Sequence, residues 1–298
     1  MVKPIFLDNK LQEKFDTEGF VKITLLTSES VLQLNALFKN YFPNPSVDFY
    51  SSSYENDFPK KKEMSDRIGE ILLPQLEKIF VDFKWFGSAF LSKGNGTRSE
   101  MPMHQDWTIV DETQFIALNI WTPLQDTNEE NGTLEVIPGS HQWHRALRAP
   151  TLPFYFEGFQ NKLKEKLTAI PALATEAVVL NQAVIHYSKA NKTNDTRIAI
   201  TTGIKSAGAP MIFHYWNKEN PEQIEVFHEE DDFLNRFTDF HQAIFKRPTL
   251  GESMGKQPFH LTKISDAEFE SIVNQGSTKQ SSAGNASFIQ KIRQWIKN

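Results

Sequence analysis

Cysteine is absent from this 298-residue chain. That excludes disulfides, iron–sulfur clusters, zinc–thiolate sites and thiol nucleophiles together. Any bound metal must therefore be held by histidine and carboxylate. Long apolar runs are missing as well: no stretch of about eighteen apolar residues exists to cross a bilayer. The opening MVKPIFLDNKLQEKFD scatters charges where a signal peptide needs an apolar run. Basic charge is in short supply, with 32 Lys and Arg against 37 Asp and Glu and a net charge of −5. Such a balance offers no electrostatic footprint for nucleic acid or an anionic membrane. There is no G-x-S-x-G, P-loop or G-x-G-x-x-G, so hydrolase, NTPase and dinucleotide-binding readings lack support. The expectation is a soluble, cytoplasmic protein whose partner is a small-molecule substrate.

What is present is aromatic and apolar. Hydrophobic residues make up 39% of the chain and Phe alone contributes 24, enough for one large domain or two small ones with a deep interior. Residues 8–40 carry helical periodicity through Leu11, Phe15, Val31, Leu34, Leu37 and Phe38, interrupted by a short strand in EGFVKI at 18–23. A polar loop is expected over 43–62 and a helix over 64–80. From Trp85 the period shortens. WFGSAFLS, MHQDWTIV, FIALNIWTPL, GTLEVIPGS, AVVLNQAVIHYS and RIAITTGIK read as strands separated by turn residues. Six or more short strands at these intervals predict an antiparallel sandwich or barrel rather than βαβ units. Helix returns over 229–247, where Phe233, Phe237, Phe240 and Phe245 share a face and the acidic run Glu229 to Asp232 suits a helix N-terminus. Residues 275–287 are Gly- and Ser-rich and read as a flexible linker. The segment 288–298 reads as a basic amphipathic helix, suited to a partner, a membrane surface or its own domain.

The chemistry gathers in the strand-rich half. In MHQDW, His104 and Asp106 stand two apart, which on a strand places them on one face. Eighty residues later His186 follows in another strand-like run. Two histidines and one carboxylate form the facial triad of non-haem Fe(II) oxygenases, because three ligands on one octahedral face leave the opposite positions open. Arg197 opens the next strand, with a planar fork matched to a carboxylate. Ser188 shares a strand face with His186 and supplies a further hydroxyl. Taken together, the five residues fit iron and a dicarboxylate, of which 2-oxoglutarate is the natural choice.

In FDTEGFVKI, MHQDW, NIWTPLQDTNEENGTLEVIPGSH and HYSKANKTNDTRIAI, over roughly residues 10–245, the chain resembles the phytanoyl-CoA dioxygenase family of Fe(II)/2-oxoglutarate-dependent oxygenases. The resemblance implies a mainly β fold with flanking helices, the double-stranded β-helix or cupin-like jelly roll. It implies an oxygenase domain over 1–274 with its β-helix core at about 83–215. It further implies His104, Asp106 and His186 as iron ligands, Arg197 and Ser188 as holders of the far carboxylate of 2-oxoglutarate, and Trp121 as a pocket residue. Gln105 and Gly132 also match family positions. O2 is the second cosubstrate, and ascorbate is expected to support activity.

The expected reaction is hydroxylation of a C–H bond in a small metabolite of a biosynthetic pathway. An acyl thioester on CoA or a carrier protein is the alternative substrate, and a non-catalytic cupin-like binding protein the alternative role. A halogenase is disfavoured because Asp106 fills the position that a halide would need, and a zinc hydrolase would leave Ser188 and Arg197 unexplained. Lys93, Arg98, Arg145 and Arg148 are placed at the pocket mouth, facing an anionic group or simply solvent. His141 and His144 read as part of a turn rather than a second metal site, and His214, His228, His241 and His260 as ordinary residues.

Overall fold

The computed structural model describes residues 2–144 and 146–274. The chain begins with α1 (Asn9–Glu18), β1 (Phe20–Thr24), α2 (Ser28–Tyr41), β2 (Phe49–Ser51) and α3 (Phe58–Leu76). Then come β3 (Phe83–Lys93), β4 (Met101–His104), β5 (Ala117–Pro123), β6 (Leu134–Val136), α4 (Gln160–Lys164), β7 (Thr168–Ile170), β8 (Glu176–Asn181), β9 (His186–Ser188) and β10 (Arg197–Ser206). The last elements are β11 (Met211–Trp216), β12 (Gln223–Glu229), α5 (Phe233–Arg236), α6 (Phe240–Ala243) and β13 (Glu252–Pro258).

From β3 to β10 the chain winds between two antiparallel sheets. The larger has the order β1-β8-β5-β10-β3-β2 and the smaller β4-β9-β6-β7. Apart from β2–β3 and β6–β7, strands adjacent in these two sheets are not consecutive in sequence, because the winding passes from one sheet to the other. That topology is the double-stranded β-helix, as expected. β11, β12 and β13 form a separate three-stranded sheet that the periodicity did not reveal.

Alternation along β10 explains how a site can sit between layers. Ile198, Ile200 and Ile204 point away from the winding and pack with Leu34, Ile68 and Leu72 of α2 and α3. Arg197, Thr201 and Gly203 point the other way and line a cavity between the sheets. The smaller sheet is closed on its outer side by Phe156, Leu163, Phe269 and Val273, packed over Met103 and Ile185. The Phe159 and Phe269 rings stack there, 4.4 Å apart at 5°, which brings the helical segment 266–274 onto the β-helix.

Three expectations about elements are corrected. The segment 43–62 is not all loop: it holds β2, and α3 begins at Phe58 rather than 64. Asp57 caps that helix by accepting from the Lys60 amide at 3.1 Å, with proline in the first turn. The helix expected over 229–247 is instead the end of β12 followed by two single turns, α5 and α6. Asp239 breaks the periodicity with a left-handed φ of 51°, and Asp231 pairs with Lys84 and Lys205 rather than with a helix end. The strand in MHQDWTIV ends at His104, so Asp106 lies beyond it. The linker at 275–287 and the helix at 288–298 lie outside the described residues. Among the described residues no helix is long and apolar enough to cross a membrane.

Candidate active site

His104 closes β4 and His186 opens β9, and the two are register partners across the smaller sheet. Their rings lie 4.1 Å apart. Each Nδ1 faces a backbone oxygen, Pro102 at 2.7 Å and Val184 at 3.0 Å. Nδ1 therefore carries the ring hydrogen, which leaves each Nε2 with a free lone pair. Asp106 reaches the pair by leaving the ladder: its carbonyl accepts from Arg148 Nε at 2.7 Å, and its Oδ1 stands 3.9 Å from both Nε2 atoms. The ligating atoms of all three residues lie within 4.8 Å of one another. A divalent ion about 2.1 Å from each is within reach.

Electrostatics suits such an ion. Burial, together with the neighbouring His186, pushes His104 down to about 4, so at neutral pH no proton competes with a metal for its Nε2. The second carboxylate oxygen of Asp106 accepts from Asn119 Nδ2 at 3.1 Å, and Asn119 Oδ1 accepts from the Thr201 hydroxyl at 2.5 Å. The hydroxyl fixes which way the amide points, and the amide fixes the carboxylate. Asn119 lies two residues before Trp121 on the same face of β5, a spacing that could have flagged it in the sequence.

The other end of the cavity is cationic. Arg197 is 2% exposed, and its Nε and Nη1 have no hydrogen-bond partner. The Trp121 ring lies 5.4 Å from its guanidinium carbon. Burial lowers Arg197 to about 9, so it stays charged at neutral pH. Lys93, expected at the mouth, is instead fully buried on the cavity wall. Its Nζ donates to Ser188 O at 2.8 Å and to Ser188 Oγ and Lys189 O at 2.7 Å. Those acceptors match the three hydrogens of an ammonium, while burial and the Arg197 charge pull Lys93 down to about 6. The Ser188 hydroxyl donates to Gly132 O at 2.8 Å, so it orders Lys93 rather than offering a free hydrogen. Gly132 permits that contact with φ 73°: a Cβ there would lie 2.4 Å from Lys189 O.

The remaining expected mouth cations do not assemble. Arg98 pairs with Asp48 at 2.9 Å. Arg148 is buried and held by Glu112 and by backbone oxygens. Arg145 lies outside the described residues. His141 Nε2 lies 3.2 Å from Asp16 O and His144 stacks on Tyr155, so these two share no site. Gln105 is buried and donates to Ala183 O at 2.6 Å, bracing the strand that ends at His104.

One cavity of about 400 Å³ joins the triad to Arg197. A cation held by one end and a dicarboxylate chelating it from the other would neutralise the site's orphaned charges together.

The family model described as phytanoyl-CoA dioxygenase (PhyH) matches residues 35–199. The chain is 32% identical over 142 residues to phytanoyl-CoA dioxygenase domain-containing protein 1 of Danio rerio, which covers 45% of this chain and 47% of that protein. It is 28% identical over 123 residues to the homolog in Dictyostelium discoideum, covering 39% and 44%. The chain thus spans about half the length of the curated relatives it matches. Similar solved structures include the non-heme alpha ketoglutarate dependent carbocyclase SnoK from nogalamycin biosynthesis, at 18% identity, 69% of this chain, 86% of that chain and a TM-score of 0.49. HygX from Streptomyces hygroscopicus, with nickel and 2-oxoglutarate bound, is 15% identical over 72% of this chain and 92% of its own, with a TM-score of 0.49.

Proposed function

Because the chain belongs to the phytanoyl-CoA dioxygenase family, we propose that it is a non-haem Fe(II)- and 2-oxoglutarate-dependent oxygenase that hydroxylates a C–H bond of a small metabolite. The observation that carries this reading is Arg197, a buried guanidinium with two nitrogens lacking acceptors, in the cavity that also holds the triad. A buried charge left alone is costly, and an anionic partner offsets that cost.

His104, Asp106 and His186 would hold the iron, and Arg197 the far carboxylate of 2-oxoglutarate, with Lys93 adding positive charge beside it. When bound, Fe(II) and 2-oxoglutarate activate O2, the cosubstrate leaving as succinate and CO2 while one oxygen atom goes to the substrate. The chain's own part is positioning. The Pro102 and Val184 carbonyls hold both imidazoles in the metal-binding tautomer. Asn119 fixes the Asp106 carboxylate so that one oxygen faces the histidines. Trp121 covers the Arg197 guanidinium and keeps water from that contact.

Anaerobic titration of 2-oxoglutarate into Fe(II)-loaded protein, followed by the metal-to-ligand charge-transfer band, tests the reading. Arg197→Ala should raise the 2-oxoglutarate Kd about ten- to a thousandfold, the range that roughly 1.4 to 4 kcal/mol implies. Iron affinity should hold within about twofold, and Arg197→Lys should recover part of the loss. Equal affinity in wild type and Arg197→Ala would remove 2-oxoglutarate from this site.

A further inference from the structure

Among the described residues, no charged side chain lines the part of the cavity that the metal and cosubstrate residues leave over. Every ionisable side chain that the described residues place on its wall, apart from tyrosine, is one already given a role: Lys93, His104, Asp106, His186 and Arg197. The rest of the wall is aromatic and aliphatic. Trp107 and Phe240 lie nearly parallel, 6.1 Å apart at 15°, and the Tyr54 ring packs 5.4 Å from Phe240. Phe86 lies across Gly203 so closely that a Cβ there would meet its ring at 2.1 Å.

The polar groups on this wall are mostly engaged with one another. Ser51 and Ser53 share a hydrogen bond at 2.7 Å, Ser88 bonds Thr202 at 2.9 Å, and Asn119 and Thr201 serve Asp106. Two amides stand apart. Gln182 lines the cavity at 6% exposure, and its Oε1 has no hydrogen-bond partner. A buried amide oxygen without a donor is the kind of group that a substrate hydroxyl completes. Asn235 of α5 also lines the cavity, its amide lying over Gly87.

Resting on the oxygenase reading, we propose that the substrate is an uncharged, largely apolar molecule whose polar groups are hydroxyls or carbonyls, bound between the aromatic walls and these two amides. A free amino acid would bring an ammonium and a carboxylate to a wall whose described residues leave no counterion for either, at a large desolvation cost. A CoA or carrier-protein thioester would need cations at the mouth. Among the described residues of the adjoining hollow, Arg98 is tied to Asp48 and Glu100 lies nearby, a balance that does not favour phosphates.

Three probes of one shape separate these classes: 2-decalol, decalin-2-carboxylate and decalin-2-ammonium. Each is titrated calorimetrically into anaerobic protein, with and without Fe(II) and 2-oxoglutarate, alongside decanoyl-CoA. The alcohol should bind at least tenfold tighter than either ion and tighter than decanoyl-CoA. In Asn235→Asp the ranking should move towards the ammonium by about tenfold or more, and Gln182→Met should weaken the alcohol while sparing decalin itself. Binding of an ion or of decanoyl-CoA as tight as that of the alcohol in wild type overturns the proposal. So does a ranking that Asn235→Asp leaves unmoved. The charge-transfer band in the same samples reports cosubstrate binding independently, so failure of the oxygenase reading is seen separately from failure of this one.

Discussion

Asp106 owes its aim to two residues that touch no ligand position themselves. Asn119 donates to its outer oxygen, and Thr201 locks the Asn119 amide so that its nitrogen faces the carboxylate. Asn119→Ala should free the carboxylate to rotate and should weaken metal affinity about ten- to a hundredfold, the usual cost of losing such an outer partner. Thr201→Val should cost less, because the amide remains. Competition with a chelator measures both, and an unchanged metal Kd in Asn119→Ala would show that Asp106 is held by other means. Lys93 yields a pH prediction. Its pKa in the fold, about 6, lies below the ordinary lysine value, so in the ligand-free protein it loses its proton as pH rises through 6. Stability then increases with pH from about 6 up to the unfolded-state value, because only the unfolded chain still binds that proton. A carboxylate arriving beside it raises the pKa again. Binding of 2-oxoglutarate above pH 6 should therefore take up a proton and weaken as pH rises. Calorimetry in buffers of different ionisation enthalpy reads that uptake, which Lys93→Met should abolish.

At the scale of elements, α3 ties together two segments that line the cavity. Lys61, 3% exposed, donates from its Nζ to Ser53 O and Phe237 O. One side chain so ties the 3-10 turn Ser52–Tyr54 to the segment between α5 and α6. Lys61→Met keeps the packed stem but leaves two carbonyls short of a donor, each worth about 1–3 kcal/mol. Amide exchange over residues 233–243 should quicken tenfold or more while β3 to β10 stay protected; unchanged exchange would mean that the aromatic contacts alone hold the segment. The sequence makes part of this visible. Phe233 and Phe237 are buried as their spacing predicts, yet spacing cannot show that Asp239 turns left-handed between two short helices. The juxtaposition of His104, Asp106 and His186 was legible from the His-x-Asp spacing together with the later His-x-Ser and Arg197, even though Asp106 is off its strand. Lys93 was not legible as a cavity residue. Its partner Ser188 lies 95 positions away, and only the winding of β3 against the smaller sheet brings them together.

At the scale of the whole molecule, the site lies between two sheets that Lys93 ties through Ser188 and that pack through Trp121 and Leu134. The smaller sheet delivers His104 and His186, and the larger delivers Arg197, Asn119 and Trp121. A metal chelated by a dicarboxylate would bridge them, so the ligands should act as a clamp on the fold. At a free 2-oxoglutarate concentration about a hundred times its Kd, binding to the native state alone adds roughly 2.7 kcal/mol. For a chain of 298 residues, with an unfolding entropy of about 2.1 cal/mol/K per residue, that is a rise in Tm of about 4 °C. Metal alone should give a smaller rise, because the three residues proposed to hold it lie on the smaller sheet and the segment just beyond β4. 2-Oxoglutarate alone should give little, because its chelating end has no ion to hold. In Arg197→Ala the increment from 2-oxoglutarate should fall by more than half at the same concentration, while the increment from metal persists. Differential scanning calorimetry under anaerobic Fe(II), or with Ni(II) to prevent turnover, separates these increments. If 2-oxoglutarate raised Tm equally in wild type and Arg197→Ala, it would be bound to one sheet only and the clamp would not exist.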